Sequence, residues 1–187
     1  MSEVVEKALQ EEENPVKVGA TWLTWLYRFY TFVLLVGGLL WALDVPSRLG
    51  FALIEPEWLG PYLGVATAAA LLRWPYGGGE TRQARPIDAV LGFIAIACWL
   101  WLAINYAAWM FDIDGYTLGK FIPGAVGIVL MVEGVRKSCG TAIAVLLVIM
   151  FVYALAGFLL PRPLQADDIS PQLLVMYLYS DTSAIPG

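Results

Sequence analysis

Long apolar runs, separated by short polar segments that contain proline, glycine or charged residues, make up most of the chain. The runs lie at about 22–43, 58–74, 87–110, 118–137 and 139–160. A helix of about 20 apolar residues matches the roughly 30 Å thickness of the hydrocarbon core of a bilayer. The pattern therefore predicts an all-α, polytopic membrane helix bundle with about five transmembrane helices.

The segments between the runs predict a simple organisation. Residues 1–20 are rich in glutamate and are interpreted as a cytosolic or interfacial N-terminal segment. Residues 48–57 are too short to cross a bilayer and are interpreted as a re-entrant or interfacial piece. Four helices follow one another over 21–137 and a fifth covers 138–161. Residues 162–187 are predicted to form a polar loop and a short amphipathic helix.

Composition supports a lipid environment over a soluble bundle. The 187 residues are 59% hydrophobic and 14% charged, whereas soluble domains are about 25% charged. Eight tryptophans and nine tyrosines suit the boundary between lipid headgroups and hydrocarbon. The expected surroundings are therefore a lipid bilayer.

The distribution of lysine and arginine predicts the orientation, because cytoplasmic loops carry an excess of these residues. With the N-terminus in the cytoplasm, eight basic residues fall inside: Lys7, Lys17, Arg28, Arg73, Arg82, Arg85, Arg136 and Lys137. Three fall outside: Arg48, Lys120 and Arg162. The prediction is a cytoplasmic N-terminus and a C-terminus on the opposite side.

The sequence offers little for catalysis. It contains no histidine, which removes imidazole ligands for haem or metal and any histidine base. Neither paired carboxylates within an apolar run nor a nucleophile motif is present. Basic residues are too dispersed for nucleic acid. We therefore expect no catalytic, cofactor-binding or metal-binding residues, and a protein that is not an enzyme.

Glu133 is the one acidic residue inside an apolar run, and such residues are functional candidates by default. Arg136 and Lys137 follow at i+3 and i+4, where they share a helix face with it. A local ion pair at the membrane interface is the favoured interpretation, and a polar contact to a partner subunit is the alternative. Asp88 falls in the first turn of its helix, where it complements the helix dipole.

Two further features indicate packing. Gly60, Gly64 and Ala68 recur every four residues, which places small side chains on one helix face and permits close contact between helices in lipid. Asn105 is the strongly polar residue inside the third run. It either bridges helices by hydrogen bonding or lines a polar contact, and the sequence does not decide between these.

Residues 117–187 resemble a known family of permeases. A helix there ends in Glu133 and the basic pair Arg136–Lys137, and Gly140 opens the next helix. The later pattern consists of Tyr153, Ala154, Leu155, Gly157, Leu160 and Pro161, followed by Leu178 and Tyr179. The segment is similar to the permease of tripartite ATP-independent periplasmic (TRAP) transporters, most of all to the fused permeases that work with TAXI-type binding proteins.

The resemblance implies a role as well as a fold. Residues 1–137 would correspond to the small, four-helix membrane subunit, and 139–160 to the helix that joins it to the large subunit. The chain would be a static scaffold in the bacterial inner membrane, with a periplasmic C-terminus. The complex would import organic acids on a sodium gradient, with sodium and substrate sites in the large subunit. Acidic residues at the outer side, Asp112, Asp114, Asp167 and Asp168, are candidates for docking the binding protein.

Other interpretations stay open. The fused family members continue after the position of Pro186 into the large subunit, which here is either a separate chain or the continuation of a longer protein. A non-transport accessory subunit of another membrane complex would show the same features up to residue 116. A membrane-embedded enzyme that acts on lipid is a third class, disfavoured by the lack of histidine and of clustered carboxylates.

Overall fold

The computed structural model describes residues 21–51, 53–74, 86–110, 117–181 and 184–186. Every regular element in these ranges is helical. The helices are α1 (Thr21–Ala42), α2 (Val45–Arg48), α3 (Glu55–Arg73), α4 (Pro86–Trp109), α5 (Leu118–Cys139), α6 (Thr141–Ala156) and α7 (Pro171–Ser180), with a 3-10 turn at Gly157–Leu159. The segment predicted over residues 1–20 lies outside the described residues.

Helix α3 runs antiparallel to both α1 and α4, which point in the same direction. At one end, Leu23 of α1, Leu72 of α3 and Ala89 of α4 share a buried apolar cluster. At the other end, the rings of Trp41 in α1 and Trp58 in α3 stack with their centroids 5.9 Å apart. Helix α3 therefore extends along the whole length of α1, with each of its ends beside an end of α1.

Within the part of the chain that the structure describes, four helices are long and apolar enough to cross a membrane: Trp22–Ala42, Pro86–Trp109, Leu118–Cys139 and Thr141–Leu159. Helix α3, predicted as a crossing helix over about 58–74, is not among them. It begins with Glu55 and Glu57 and owes much of its packing to small residues such as Gly60 and Gly64. It lies between α1 and α4 and also packs on α5, so protein rather than lipid surrounds much of it. The two ends of α3 lie level with the two ends of α1, as they would in a fifth crossing helix, although α3 is less apolar than a typical membrane span.

The segment 48–57, interpreted from sequence as interfacial, is divided by the structure. Arg48 ends α2, whereas Glu55 and Pro56 open α3. Proline is tolerated in the first turn of a helix because its missing N–H would have no partner there. The Glu57 carboxylate accepts a hydrogen bond from the backbone N–H of Ile54 at 3.1 Å, which caps the helix. The sequence EPE is therefore a helix start.

Helix α6 packs along α5 after a sharp turn at Gly140, whose φ of 96° favours glycine. Ala144 is the buried residue of α6, and the helix otherwise presents apolar side chains outward. Helix α7 begins at the cap Ser170, whose hydroxyl accepts a hydrogen bond from Leu173 N–H at 3.2 Å. It packs against α5 and α4 and so belongs to the bundle.

Charge is distributed unevenly between the two ends of the bundle. Among the described residues, the end that holds the start of α1 carries four cations and two carboxylates: Arg28, Arg73, Arg136, Lys137, Asp88 and Glu133. The opposite end carries three cations and six carboxylates: Arg48, Lys120, Arg162, Asp44, Glu55, Glu57, Asp167, Asp168 and Asp181. We call these the basic end and the acidic end.

The exposed surface of the bundle is apolar. Only 11% of the residues in the most apolar windows of α1 and α6 are buried inside the protein. Exposed leucine, isoleucine, valine and phenylalanine side chains cover both helices. A soluble protein rarely leaves apolar patches of this size in water. The chain is a membrane-embedded protein, an all-α membrane helix bundle.

Candidate functional site

The acidic residue in the fourth apolar run forms an ion pair within its own helix. Arg136 donates from Nε and Nη2 to the two carboxylate oxygens of Glu133, each at 2.7 Å. Such bidentate pairs are among the stronger charged hydrogen bonds. The side chains are 17% exposed for Glu133 and 42% for Arg136. The pair lies near the end of α5, at the basic end.

A second ion pair joins two helices and was not foreseen. Lys137 Nζ lies 3.2 Å from Asp88 Oδ1, across the interface between α5 and α4. The side chains are 5% and 0% exposed, respectively. The sequence interpretation gave Asp88 only a role at the helix dipole, because residues 49 positions apart meet only once the helices are packed. The signal in the sequence that could have predicted this pair is the position of the two opposite charges: Asp88 lies at the start of one apolar run and Lys137 at the end of the next, so antiparallel packing brings them to the same end.

The small-residue face lies against α4. A Cβ placed on Gly64 would stand 3.0 Å from Ile96 Cα, and one on Gly92 would stand 3.0 Å from the Ala68 side chain. Gly60 is buried on the same face, within 3.3 Å of an α4 carbonyl by the same measure. At these distances the backbones are too close for larger side chains.

Asn105 makes its hydrogen bond within its own helix. Its amide Nδ2 donates to the carbonyl of Trp101 at 2.8 Å, one turn earlier. The hydrogen bond between helices at this level comes from Trp101, whose Nε1 donates to the Gly119 carbonyl of α5 at 3.0 Å. The hydrogen bond that bridges α4 and α5 is therefore made by Trp101, and not by Asn105 as one interpretation of the sequence had it.

The candidate docking residues are placed only in part. Asp112 and Asp114 lie outside the described residues. Asp167 and Asp168 are exposed on the loop after α6 and line an open groove of about 750 Å³ together with Arg162. The groove carries both signs of charge and lies at the acidic end.

Helix α7 is seated by one side chain that the sequence interpretation mentioned only as part of a family pattern. Tyr179 is fully buried, with its ring centroid 5.4 Å from that of Trp99 and 6.3 Å from that of Trp109. Its hydroxyl donates to the backbone carbonyl of Cys98 in α4. Burial raises the pKa of Tyr179 above its usual range, which keeps the hydroxyl protonated as a donor.

A glycine on α5 makes room for this tyrosine. A Cβ on Gly124 would stand 3.0 Å from Cγ of Tyr179, closer than side chains normally approach. The indole of Trp99 also lies against α5, within 3.5 Å of where a Cβ on Gly127 would be. We call the groove lined by Cys98, Trp99, Trp109 and Gly124 the α7 seat.

Lys120 lies beside the α7 seat. It is 2% exposed, although the sequence counted it simply as a basic residue on the outer side. Its Nζ lies 5.6 Å from the centroid of the Trp109 ring, in the range of a cation–π interaction. A buried cation thus supports one wall of the seat.

Comparison with known proteins identifies no family. No protein-family model, curated protein or solved structure matches the chain. Within the described ranges, no group of three or more acidic, cysteine or histidine side chains is placed to hold a metal ion. The arrangement is one of helix packing, with buried polar contacts that fix how α4, α5 and α7 fit together.

Proposed function

We propose that this chain is the membrane scaffold subunit of a sodium-gradient-driven TRAP transporter, which imports organic acids with a TAXI-type periplasmic binding protein. The support is the resemblance of residues 117–187 together with the way this segment folds. Residues that carry the resemblance have structural roles here: Glu133 and Arg136 form an ion pair, and Tyr179 seats α7. A scaffold needs such rigid helix contacts and needs no catalytic groups.

The observation that carries the proposal is the arrangement of α5, α6 and α7. The chain reverses direction at Gly140, so that one side of α6 packs along α5 while most of its apolar surface stays outside the bundle. Helix α7 then returns and is fixed to α4 and α5 by Tyr179. In the proposed transporter, α6 is the connecting helix. Its outer face packs against the large permease part, while α7 anchors the following chain to the scaffold.

Under this proposal the chain lies in the bacterial inner membrane, with a cytoplasmic N-terminus and a periplasmic C-terminus. The basic end of the bundle then faces the cytoplasm, as the excess of lysine and arginine in cytoplasmic segments favours. Sodium coupling and substrate binding belong to the large permease part, so no residue of this chain is assigned to them.

The groove at the acidic end is the proposed docking surface for the binding protein. Asp167 and Asp168 are exposed there beside Arg162, and charged rims steer association more than they add affinity. Changing Asp112, Asp114, Asp167 and Asp168 to asparagine should lower the rate of uptake at limiting concentrations of binding protein. Unchanged uptake would remove this surface from the proposal and leave the scaffold role standing.

The second candidate is a non-transport accessory subunit of another membrane complex. The same helix packing would suit an accessory subunit. The scaffold role and the accessory role differ in the partner protein that each requires. Finding genes for a large permease and a secreted binding protein beside the gene for this chain would favour transport, and their absence there would favour the accessory role.

The decisive experiment is purification of the tagged chain in mild detergent, followed by identification of the co-purifying protein and reconstitution of the complex in liposomes. We expect a large polytopic permease as the partner. Organic acid uptake should require the binding protein and an inward sodium gradient. A stable complex with a different partner, and no sodium-dependent uptake, would support the accessory role.

A further inference from the structure

Arg28 carries a charge on the lipid-facing side of α1, and no carboxylate among the described residues is paired with it. Its side chain is exposed, and the helix around it is apolar. At the same end of the bundle, Arg136 is paired with Glu133 and Lys137 is paired with Asp88. The recorded contact of the Arg28 guanidinium is with an aromatic ring, that of Trp25.

The guanidinium is directed toward the nearer membrane surface. Arg28 lies six residues into the span that begins at Trp22, which corresponds to about 9 Å along the helix axis. The guanidinium carbon stands 5.9 Å from the ring centroid of Trp25, one turn closer to the start of the helix. Long cationic side chains extend in this way from apolar surroundings to the headgroup level.

The neighbouring side chains match the headgroup boundary. Trp22 is 51% exposed and Trp25 is 66% exposed, and tryptophan is enriched at this level of a bilayer. Phe29 and Phe32 continue the exposed face toward the hydrocarbon. The charge of Arg28 therefore lies between an aromatic belt and lipid tails, at the level where lipid headgroups supply anionic groups.

Among the residues that the structure describes, the charge of the basic end favours an anionic counterpart. Four cations and two carboxylates lie there among the described residues, and both carboxylates are already paired with Arg136 and Lys137. Arg28 and Arg73 are the remaining cations. Membrane leaflets that contain anionic lipids attract clusters of basic residues at their surface.

We propose that Arg28 and Trp25 form a binding site for the phosphate group of an anionic phospholipid in the leaflet at the basic end. The planar guanidinium donates two parallel hydrogen bonds to phosphate oxygens. The Trp25 ring holds the guanidinium in place by a cation–π contact. The acyl chains follow the exposed face formed by Phe29 and Phe32. The site is independent of the transporter proposal, because it requires only that α1 faces lipid.

The test measures lipid binding to the full chain purified in detergent. Phosphatidylglycerol and phosphatidylcholine with the same acyl chains are titrated, and bound lipid is counted by native mass spectrometry. The wild-type chain should retain phosphatidylglycerol preferentially. Arg28→Gln should weaken its binding about five-fold, the factor that corresponds to the loss of about one basic residue at a lipid surface. Arg162→Gln, which removes an exposed arginine at the acidic end, is the matched control and should bind as the wild type does.

Three results would overturn the site. They are equal retention of the two lipids by the wild-type chain, an unchanged preference in Arg28→Gln, and an equal loss in Arg162→Gln. Displacement of the lipid by inorganic phosphate alone would overturn it as well, because it would indicate a site for a free anion. Trp25→Leu keeps the apolar surface and the charge, and it should reduce the preference for phosphatidylglycerol without abolishing it. That variant keeps the proposal testable if Arg28→Gln fails to fold.

Discussion

Two ion pairs near the basic end differ in burial, and the difference sets their energetic roles. Glu133 and Arg136 lie on one helix, and the Arg136 side chain is 42% exposed. Asp88 and Lys137 lie on different helices and are almost completely enclosed. Removing one member of an enclosed pair leaves the other charge without full compensation in a medium of low dielectric constant. The Asp88–Lys137 pair should therefore matter much more for the association of α4 with α5.

The variant Asp88→Asn tests this difference. We expect it to lower the free energy of unfolding by about 3–5 kcal/mol, because Lys137 stays buried without its carboxylate. The matched control, Glu133→Gln, removes a carboxylate from an i,i+3 pair and should cost about 0.3–0.5 kcal/mol. Thermal unfolding in detergent, followed by circular dichroism, measures both. The double variant Asp88→Asn/Lys137→Met should recover part of the loss. Equal losses in the two single variants would contradict the assigned roles.

At the scale of elements, the position of α7 depends on a close fit between one tyrosine and one glycine. Gly124 and Gly119 lie on the same helix, but a Cβ on Gly119 would meet nothing within 4 Å. A Cβ on Gly124 would press on the Tyr179 ring, and both groups are enclosed by α4 and α5. The ring cannot move without losing its contacts with Trp99 and Trp109.

We therefore expect Gly124→Ala to destabilise the chain by about 1–3 kcal/mol, as overpacking of a filled core does, and to release α7. Gly119→Ala should leave stability close to that of the wild-type chain. Protease cleavage in the loop at 161–170, measured in detergent, reports the release, and thermal unfolding reports the stability. If Gly124→Ala were as resistant to cleavage as Gly119→Ala, the seat would not be what holds α7.

The sequence predicted elements better than it predicted contacts between them. Helices α1, α4, α5 and α6 follow from apolar runs of membrane length, because that signal is local. The start of α3 was missed, since the cap formed by Glu57 depends on backbone geometry at Ile54. The partner of Lys137 and the seat of Tyr179 join residues 49 and 81 positions apart. Only the packing of helices decides such pairs, and a single sequence records neither the register nor the faces involved.

At the scale of the whole molecule, the two ends differ in charge and the helices alternate in direction. Helices α1, α3, α4 and α5 pack as an up-and-down bundle, with α6 running back along α5. If all five cross, segments that follow odd-numbered crossings lie on one side of the membrane. The number of crossings depends on whether α3 crosses the membrane. Its composition is not that of a typical membrane span, whereas it extends along the whole length of α1.

Accessibility of single cysteines tests the crossing of α3. Cys139 is exposed at the end of α5 and serves as a natural label after Cys98→Ala. Ser47→Cys and Gln165→Cys, each combined with Cys98→Ala and Cys139→Ala, place labels before α3 and after α6. With five crossings and a cytoplasmic basic end, an impermeant maleimide added to spheroplasts should modify residues 47 and 165 and leave Cys139 unmodified. If α3 stayed on one side, every later segment would be inverted, and residue 47 would react from the same compartment as Cys139. The pairing of residue 47 with 165 or with 139 therefore decides whether α3 crosses, whichever end faces the cytoplasm.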